Sequence, residues 1–187
     1  MENKTILSHS RPKYSVHEMM KMSLCVAFCC VTAYISFPLP FTPGMVTALT
    51  IALGVTSFVL TPRQTFMVIM VYILLGSIGL PVFVGGTAGF GRLLGPTGGF
   101  IIAWLLAYPL VSAFKGEDNS VKRYALMDIS IGMPITYLGG LISMMLVMEI
   151  TFMQALVMAV IPYIPGDIMK CLMAAFLGTK VNQAMQK

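Results

Sequence analysis

Six apolar stretches follow one another along the chain, at residues 19–37, 45–60, 64–84, 98–114, 125–147 and 152–177, with only short breaks between them. An α-helix needs about 20 consecutive apolar residues to cross the hydrocarbon core of a bilayer, with a range near 17–25. Backbone polar groups in lipid must be satisfied within the segment, so runs of this kind fold as helices. The breaks carry suitable punctuation. Pro38, Pro40 and Pro43-Gly44 end the first stretch, Thr61-Pro62-Arg63 ends the second, and residues 115–123 separate the fourth from the fifth. The second stretch is the shortest, bounded by Pro43 and Pro62. Only 10% of the 187 residues are charged, against about 25% in a soluble domain, so most of the surface faces something other than water. The expectation is an all-α membrane protein with six transmembrane helices over residues 19–180, and cytoplasmic tails at 1–18 and 181–187.

Basic residues set the orientation. With the N-terminus inside, Lys4, Arg11, Lys13, Lys21, Arg63, Lys115, Lys122, Arg123, Lys180 and Lys187 fall on the cytoplasmic side, Arg92 falls outside and Lys170 falls within a span. The positive-inside rule therefore predicts both termini in the cytoplasm. The formal charge of +5 is scattered between apolar segments and forms no stripe, which argues against nucleic acid as a partner. The tail at 1–18 is too polar and too long before its first apolar stretch to read as a signal peptide. Ser15 and Glu18 have capping-box spacing and predict the start of the first helix. Cys25, Cys29, Cys30 and Cys171 all lie in apolar stretches without a Cys-x-x-Cys pair, and behave as small apolar residues.

Two stretches do not read as plain spanning helices. Residues 81–99 hold seven glycines, Gly85, Gly86, Gly89, Gly91, Gly95, Gly98 and Gly99, too many for a helix. They make a Gly-rich outer loop between helices 3 and 4. The second stretch runs from Pro162 to Lys170, where Pro165-Gly166 breaks helix 6. Irregular backbone at membrane depth persists only where protein or a cavity satisfies it, and a broken helix beside such a loop is one way to build a solute site.

Asp167 and Lys170 are the ionisable pair of that broken span. Each costs roughly 2.5–3.5 kcal/mol at a helix centre on insertion scales, and at i,i+3 they share a face and neutralise each other in part. The pair either holds the broken helix together or is shared by a polar ligand; Asp167, in the first turn after Pro165-Gly166, gains from helix-terminus amides. Arg92 is either a solvated loop charge or a clamp for a carboxylate, which guanidinium grips bidentately. Glycines beside it let backbone amides approach a ligand and let the loop close as a lid. Catalysis has no visible machinery. Gly89-x-Gly91-x-x-Leu94 lacks the third glycine of a dinucleotide fingerprint, no P-loop is present, and His9 and His17 lie in the polar tail, apart from any nucleophile or metal-ligand set. The chain reads as a binder of a small solute, not an enzyme.

Three motifs together resemble a known family: Gly79-Leu80-Pro81-Val82-Phe83, then Gly95-Pro96-Thr97-Gly98-Gly99-Phe100, then Pro165-Gly166-Asp167-x-x-Lys170. They are similar to the BioY family, the biotin-specific S components of energy-coupling factor (ECF) importers, in order and spacing from about residue 19 to 177. The resemblance implies six helices in the cell membrane, a biotin pocket near the outer face, and two kinds of partner: a transmembrane T component and a pair of ATPases that use the ATP. No cofactor is implied for this chain. Biotin carries two ureido N–H donors, a ureido carbonyl, an apolar body and a carboxylate. Asp167 would accept from the N–H groups, Lys170 would donate to the ureido carbonyl or support Asp167, and Arg92 would meet the carboxylate. Gly85 and Gly86 would give close backbone approach, and Phe41, Phe83, Phe90 and Tyr163 apolar walls. Family members often carry Ala-x-x-x-Ala on the first helix for docking; the matches here are Ser23-x-x-x-Ala27 and Cys29-x-x-x-Ala33, whose small side chains suit close helix contact either with a partner or within the chain. The reading from another class is a stand-alone ion-coupled carrier using Asp167 for protons. Such carriers often have two related halves, and no internal repeat is visible.

Overall fold

The structure is a computed structural model that describes residues 14–40 and 42–185; Phe41 lies outside the described residues. Helix α1 (Val16–Thr32) starts where its capping box predicts. The Ser15 N–H donates to Glu18 Oε2 (2.8 Å), and the Glu18 N–H donates to Ser15 Oγ (3.2 Å). The same device starts α3 (Pro62–Ser77), where Thr61 and Gln64 cap each other and Pro62 takes the first helical position, a place that needs no N–H donor. Gln64 Nε2 also donates to Glu18 Oε1 (3.0 Å), tying the two helix starts together.

Between α1 and α3 the chain departs from an unbroken helical reading. Strands β1 (Ser36–Pro38) and β2 (Met45–Thr47) pair antiparallel with Phe37 opposite Val46, and α2 (Leu49–Val59) follows. Helix α1 ends at Thr32, six residues before the first of the prolines that punctuate this stretch, and backbone groups that a longer helix would have satisfied are satisfied by the hairpin instead. A one-turn helix, α4 (Gly91–Leu94), lies in the Gly-rich segment, and α5 (Gly98–Phe114) follows it. Helices α6 (Val121–Met127) and α7 (Met133–Met148) are joined through a π-helical segment, Asp128–Gly132. Together they make one helix of 28 residues, long and apolar enough to cross a membrane. Helices α8 (Phe152–Ala159) and α9 (Ile164–Met185) form a pair bent by 49° that passes the same test jointly. The bend falls at residues 160–163, ahead of Pro165 and Gly166, which sit in the first turn of α9. A proline there removes no intrahelical hydrogen bond, so it opens the new helix where the sequence suggested it would break one.

The core sits where α1, α2, α3 and α5 meet, around Cys29, Leu53, Tyr72, Phe83 and Trp104. Glycines let helices close in. Gly99 of α5 faces Gly139 of α7 so tightly that a Cβ on either would overlap the other's carbonyl oxygen. A Cβ at Gly178 of α9 would lie 2.9 Å from Phe58 of α2. The outside of the bundle is apolar, with Leu24, Leu74, Leu106, Leu138, Leu146 and Phe176 all exposed. That surface suits lipid and not water.

Candidate functional site

One cavity, with about 90 Å3 open in it, lies where the hairpin, the Gly-rich segment and the start of α9 converge. Met45 and Thr47 line it from β2, Thr50 from α2, and Phe100, Ile101 and Trp104 from α5. Thr136 and Tyr137 line it from α7, Tyr163 from the bend, and Asp167 and Lys170 from α9. Arg92, on α4, lines the same cavity.

The first two turns of α9 carry the polar floor. Lys170 Nζ lies 2.6 Å from Asp167 Oδ1, and both side chains are about one-seventh exposed, at 13% and 15%. Tyr137 OH donates to Asp167 Oδ2 (2.6 Å). Each carboxylate oxygen therefore has one protein donor and keeps a lone pair for another. Two further polar atoms on the wall, Trp104 Nε1 and Thr136 Oγ1, are buried without a hydrogen-bond partner. Buried polar groups are almost always paired, so an indole N–H and a hydroxyl without partners, in two residues that line the cavity, stand out beside it. Arg92 and Lys170 are two cations against one anion, Asp167, which leaves a positive balance for a monoanion. The arrangement suits a molecule with donors and an acceptor at one end, an apolar middle and a single negative charge.

The Gly-rich segment is pinned at its start and shaped by its glycines. Phe83 is fully buried against Gly76 and meets the edge of Tyr72, with ring centroids 5.8 Å apart. Tyr72 OH donates to the Val82 carbonyl (2.9 Å). Gly85 and Gly86 then turn at φ +75° and +69°, the left-handed region that favours glycine, and the Gly85 N–H donates to the Ala33 carbonyl (3.1 Å).

Of the residues singled out in the sequence, Asp167, Lys170, Arg92 and Tyr163 line one cavity. Tyr163 OH reaches Thr42 Oγ1 at 3.5 Å. Gly85 and Gly86 are not on the cavity wall; they shape the turn behind it, against Met45 and Tyr34. Phe90 points outward, 62% exposed, and Phe83 anchors the loop in the core. On α1, Ser23 and Ala27 are exposed, whereas Cys29 and Ala33 are fully buried in this chain's own core. Trp104, Thr136 and Tyr137 were not singled out, because an aromatic or threonine in an apolar helix reads as packing. Asp128, 2% exposed on the π-helical segment, had a readable signal, an acid inside the fifth apolar stretch.

Comparison with known proteins agrees with this architecture. The chain is 33% identical over 171 residues to the probable biotin transporter BioY of Bacillus subtilis, covering 90% of this chain and 91% of that one. It is 29% identical over 170 residues to biotin transporter BioY2 of Lactococcus lactis, covering 91% and 92%. Among solved structures, the S-component for biotin from an ECF-type ABC transporter superposes with a TM-score of 0.83 at 22% identity, over 90% of this chain and 92% of that one, so the two share a fold. The sequence profile of the BioY family matches residues 3–187, and with a 33% identical relative aligned over nine-tenths of both chains, this chain belongs to the BioY family.

Proposed function

We propose that this chain is the membrane-embedded subunit that captures biotin at the outer face and delivers it through an ATP-driven ECF importer. The observation that carries the reading is the cavity floor: one acid with a free lone pair on each oxygen, a lysine beside it, and an arginine on the same wall. Asp167 accepts from the ureido N–H groups, Lys170 or Trp104 Nε1 donates to the ureido carbonyl, and Arg92 meets the carboxylate. The chain performs no chemistry on biotin. Energy comes from a T component and a pair of ATPases. Uptake of labelled biotin by cells expressing the chain with those partners tests this. Uptake is expected to vanish when the ATPases are inactivated; uptake that persists and collapses with an ionophore would favour the stand-alone carrier instead.

Six spans follow if α1, α3, α5, α6 with α7, and α8 with α9 each cross the membrane once, and the hairpin together with α2 makes the second crossing. Both termini are then cytoplasmic, in keeping with the distribution of basic residues. In a cysteine-free background, an impermeant thiol reagent on intact cells is expected to label a cysteine placed at Thr87 and to spare one at Gln183. The opposite pattern reverses the orientation.

Arg92 reads the carboxylate. The unmodified chain is expected to prefer biotin over biotin amide by roughly 1.5–3 kcal/mol, the worth of a charge-assisted contact, and Arg92→Ala to bind the two about equally. Equal binding by the unmodified chain would make Arg92 a loop charge only.

Ser23 and Ala27 offer a small-residue face of α1 to a partner helix, where a bulky ring would force helices apart. Ala27→Trp is expected to leave biotin binding intact and to lower uptake by the assembled complex. Loss of binding in step with uptake would assign Ala27 to packing within the chain.

A further inference from the structure

A second, smaller cavity adjoins the first, one turn further along α5 and α9, and Tyr137, Asp167 and Lys170 line both. About 20 Å3 is open in it, room for a single water molecule. The remaining carboxylic acid on its wall is Asp128. That side chain occupies a niche cut for it by glycine. A Cβ at Gly132 would overlap Asp128 Oδ1, and one at Gly54 would lie 3.0 Å from Oδ2. Its segment is π-helical, a local form that recurs at functional sites.

Asp128 has no cation of its own. The ion pairs among the described residues are Arg123 with Asp118 and Lys170 with Asp167. The titratable groups facing the cavity it shares are Tyr108 from α5, Tyr137 from α7, and Asp167, Lys170 and Cys171 from α9. Helix α2 contributes Thr50 and Gly54, neither of them titratable. Two acids therefore share one ammonium. An uncompensated charge at membrane depth is costly, and the cluster is neutral only when the acid that lacks Lys170 carries a proton. Thr136, whose buried hydroxyl has no partner, lines both cavities.

We propose that Asp128 is a positioning residue for ligand release: it is the alternate partner of Lys170, and pairing with it passes the cluster's one proton to Asp167. With Lys170 on Asp167, as the structure has it, Asp167 is an anion and Asp128 a neutral acid. When the lysine turns inward, the proton leaves the Asp128 oxygen, crosses by way of a water that the cavity has room for, and bonds to an Asp167 oxygen. The cluster neither gains nor loses a proton. Neutral Asp167 has exchanged an acceptor for a donor, so it no longer takes two ligand N–H groups and its grip loosens. Lysine suits the movement because its charge sits on a flexible four-carbon stem. The inference rests on the reading of Asp167 as the acceptor for biotin.

The test is the dissociation rate of labelled biotin from purified chain, chased with unlabelled biotin. Asp128→Asn keeps the shape but offers Lys170 no counter-charge and yields no proton. Dissociation is expected to slow about tenfold, within the usual range of coupling between sites, and Asp128→Ser is expected to do the same. Unchanged or faster dissociation in these folded variants overturns the proposal while leaving the biotin reading intact, since that reading fails only if the unmodified chain binds no biotin. Should neither variant fold, the unmodified chain still decides. Release through a proton transfer slows in D2O, and equal rates in D2O and H2O overturn it.

Discussion

Asp167→Asn is expected to weaken biotin binding by roughly 2–5 kcal/mol, the usual cost of removing one charge from a buried, hydrogen-bonded pair. Asp167 takes Lys170 on one oxygen and Tyr137 on the other. An amide keeps the shape but has a single acceptor oxygen, so its N–H₂ must face the ammonium, the phenol or the ligand's own N–H. A donor is then left facing a donor whichever way the amide turns, and Lys170 loses its counter-charge. Lys170→Met is expected to cost binding as well, and the double variant to lose less than the two single losses combined, because the residues are coupled. An ion pair that only holds the start of α9 together predicts something else: lower melting temperatures in both variants and unchanged affinity in whatever folds. Calorimetry on monodisperse Asp167→Asn protein separates the two, and near-normal affinity there removes Asp167 from the site.

The second large effect is expected at the contact of α5 with α7. Gly99 and Gly139 meet backbone to backbone, and a Cβ at Gly139 would also come within 2.5 Å of Ala103 Cβ. Without a hydrophobic drive between helices in lipid, close van der Waals packing at small residues does most of the holding. Gly139→Leu inserts a whole side chain where not even a methyl group fits. The expected cost is about 3 kcal/mol or more, at the upper end of overpacking penalties, read as a lower melting temperature in detergent. Biotin binding is expected to fall too, because Trp104 and Tyr137 line the cavity from these two helices. An unchanged melting temperature would mean that the helices part at little cost.

What was legible in the sequence was what depends on neighbours along the chain. The capping box at Ser15 and Glu18, the limits of α5, and Asp167 in the first turn of a new helix are all local features. The bend ahead of Pro165 was displaced by a few residues because proline's position within a turn, not its presence, decides whether it breaks a helix or begins one. The hairpin of β1 and β2 escaped because three-residue strands are too short for an alternation of apolar and polar residues to register.

The site was half legible. Charged residues announce themselves in an apolar chain, so Asp167, Lys170 and Arg92 stood out. Trp104, Thr136 and Tyr137 did not, because in helices apolar all round there is no polar face to say which side looks inward. The same blindness hid that Cys29 and Ala33 face the core while Ser23 and Ala27, on the same helix, face out.

Whether the cavity is built for biotin is decided by titrating biotin into purified, ligand-free chain in detergent and following the heat. The geometry predicts saturable binding of one biotin per chain, weakened by Asp167→Asn and weaker for the amide than for the acid. No heat of binding from folded, monodisperse protein, or binding indifferent to Asp167, Lys170 and Arg92 alike, would contradict it.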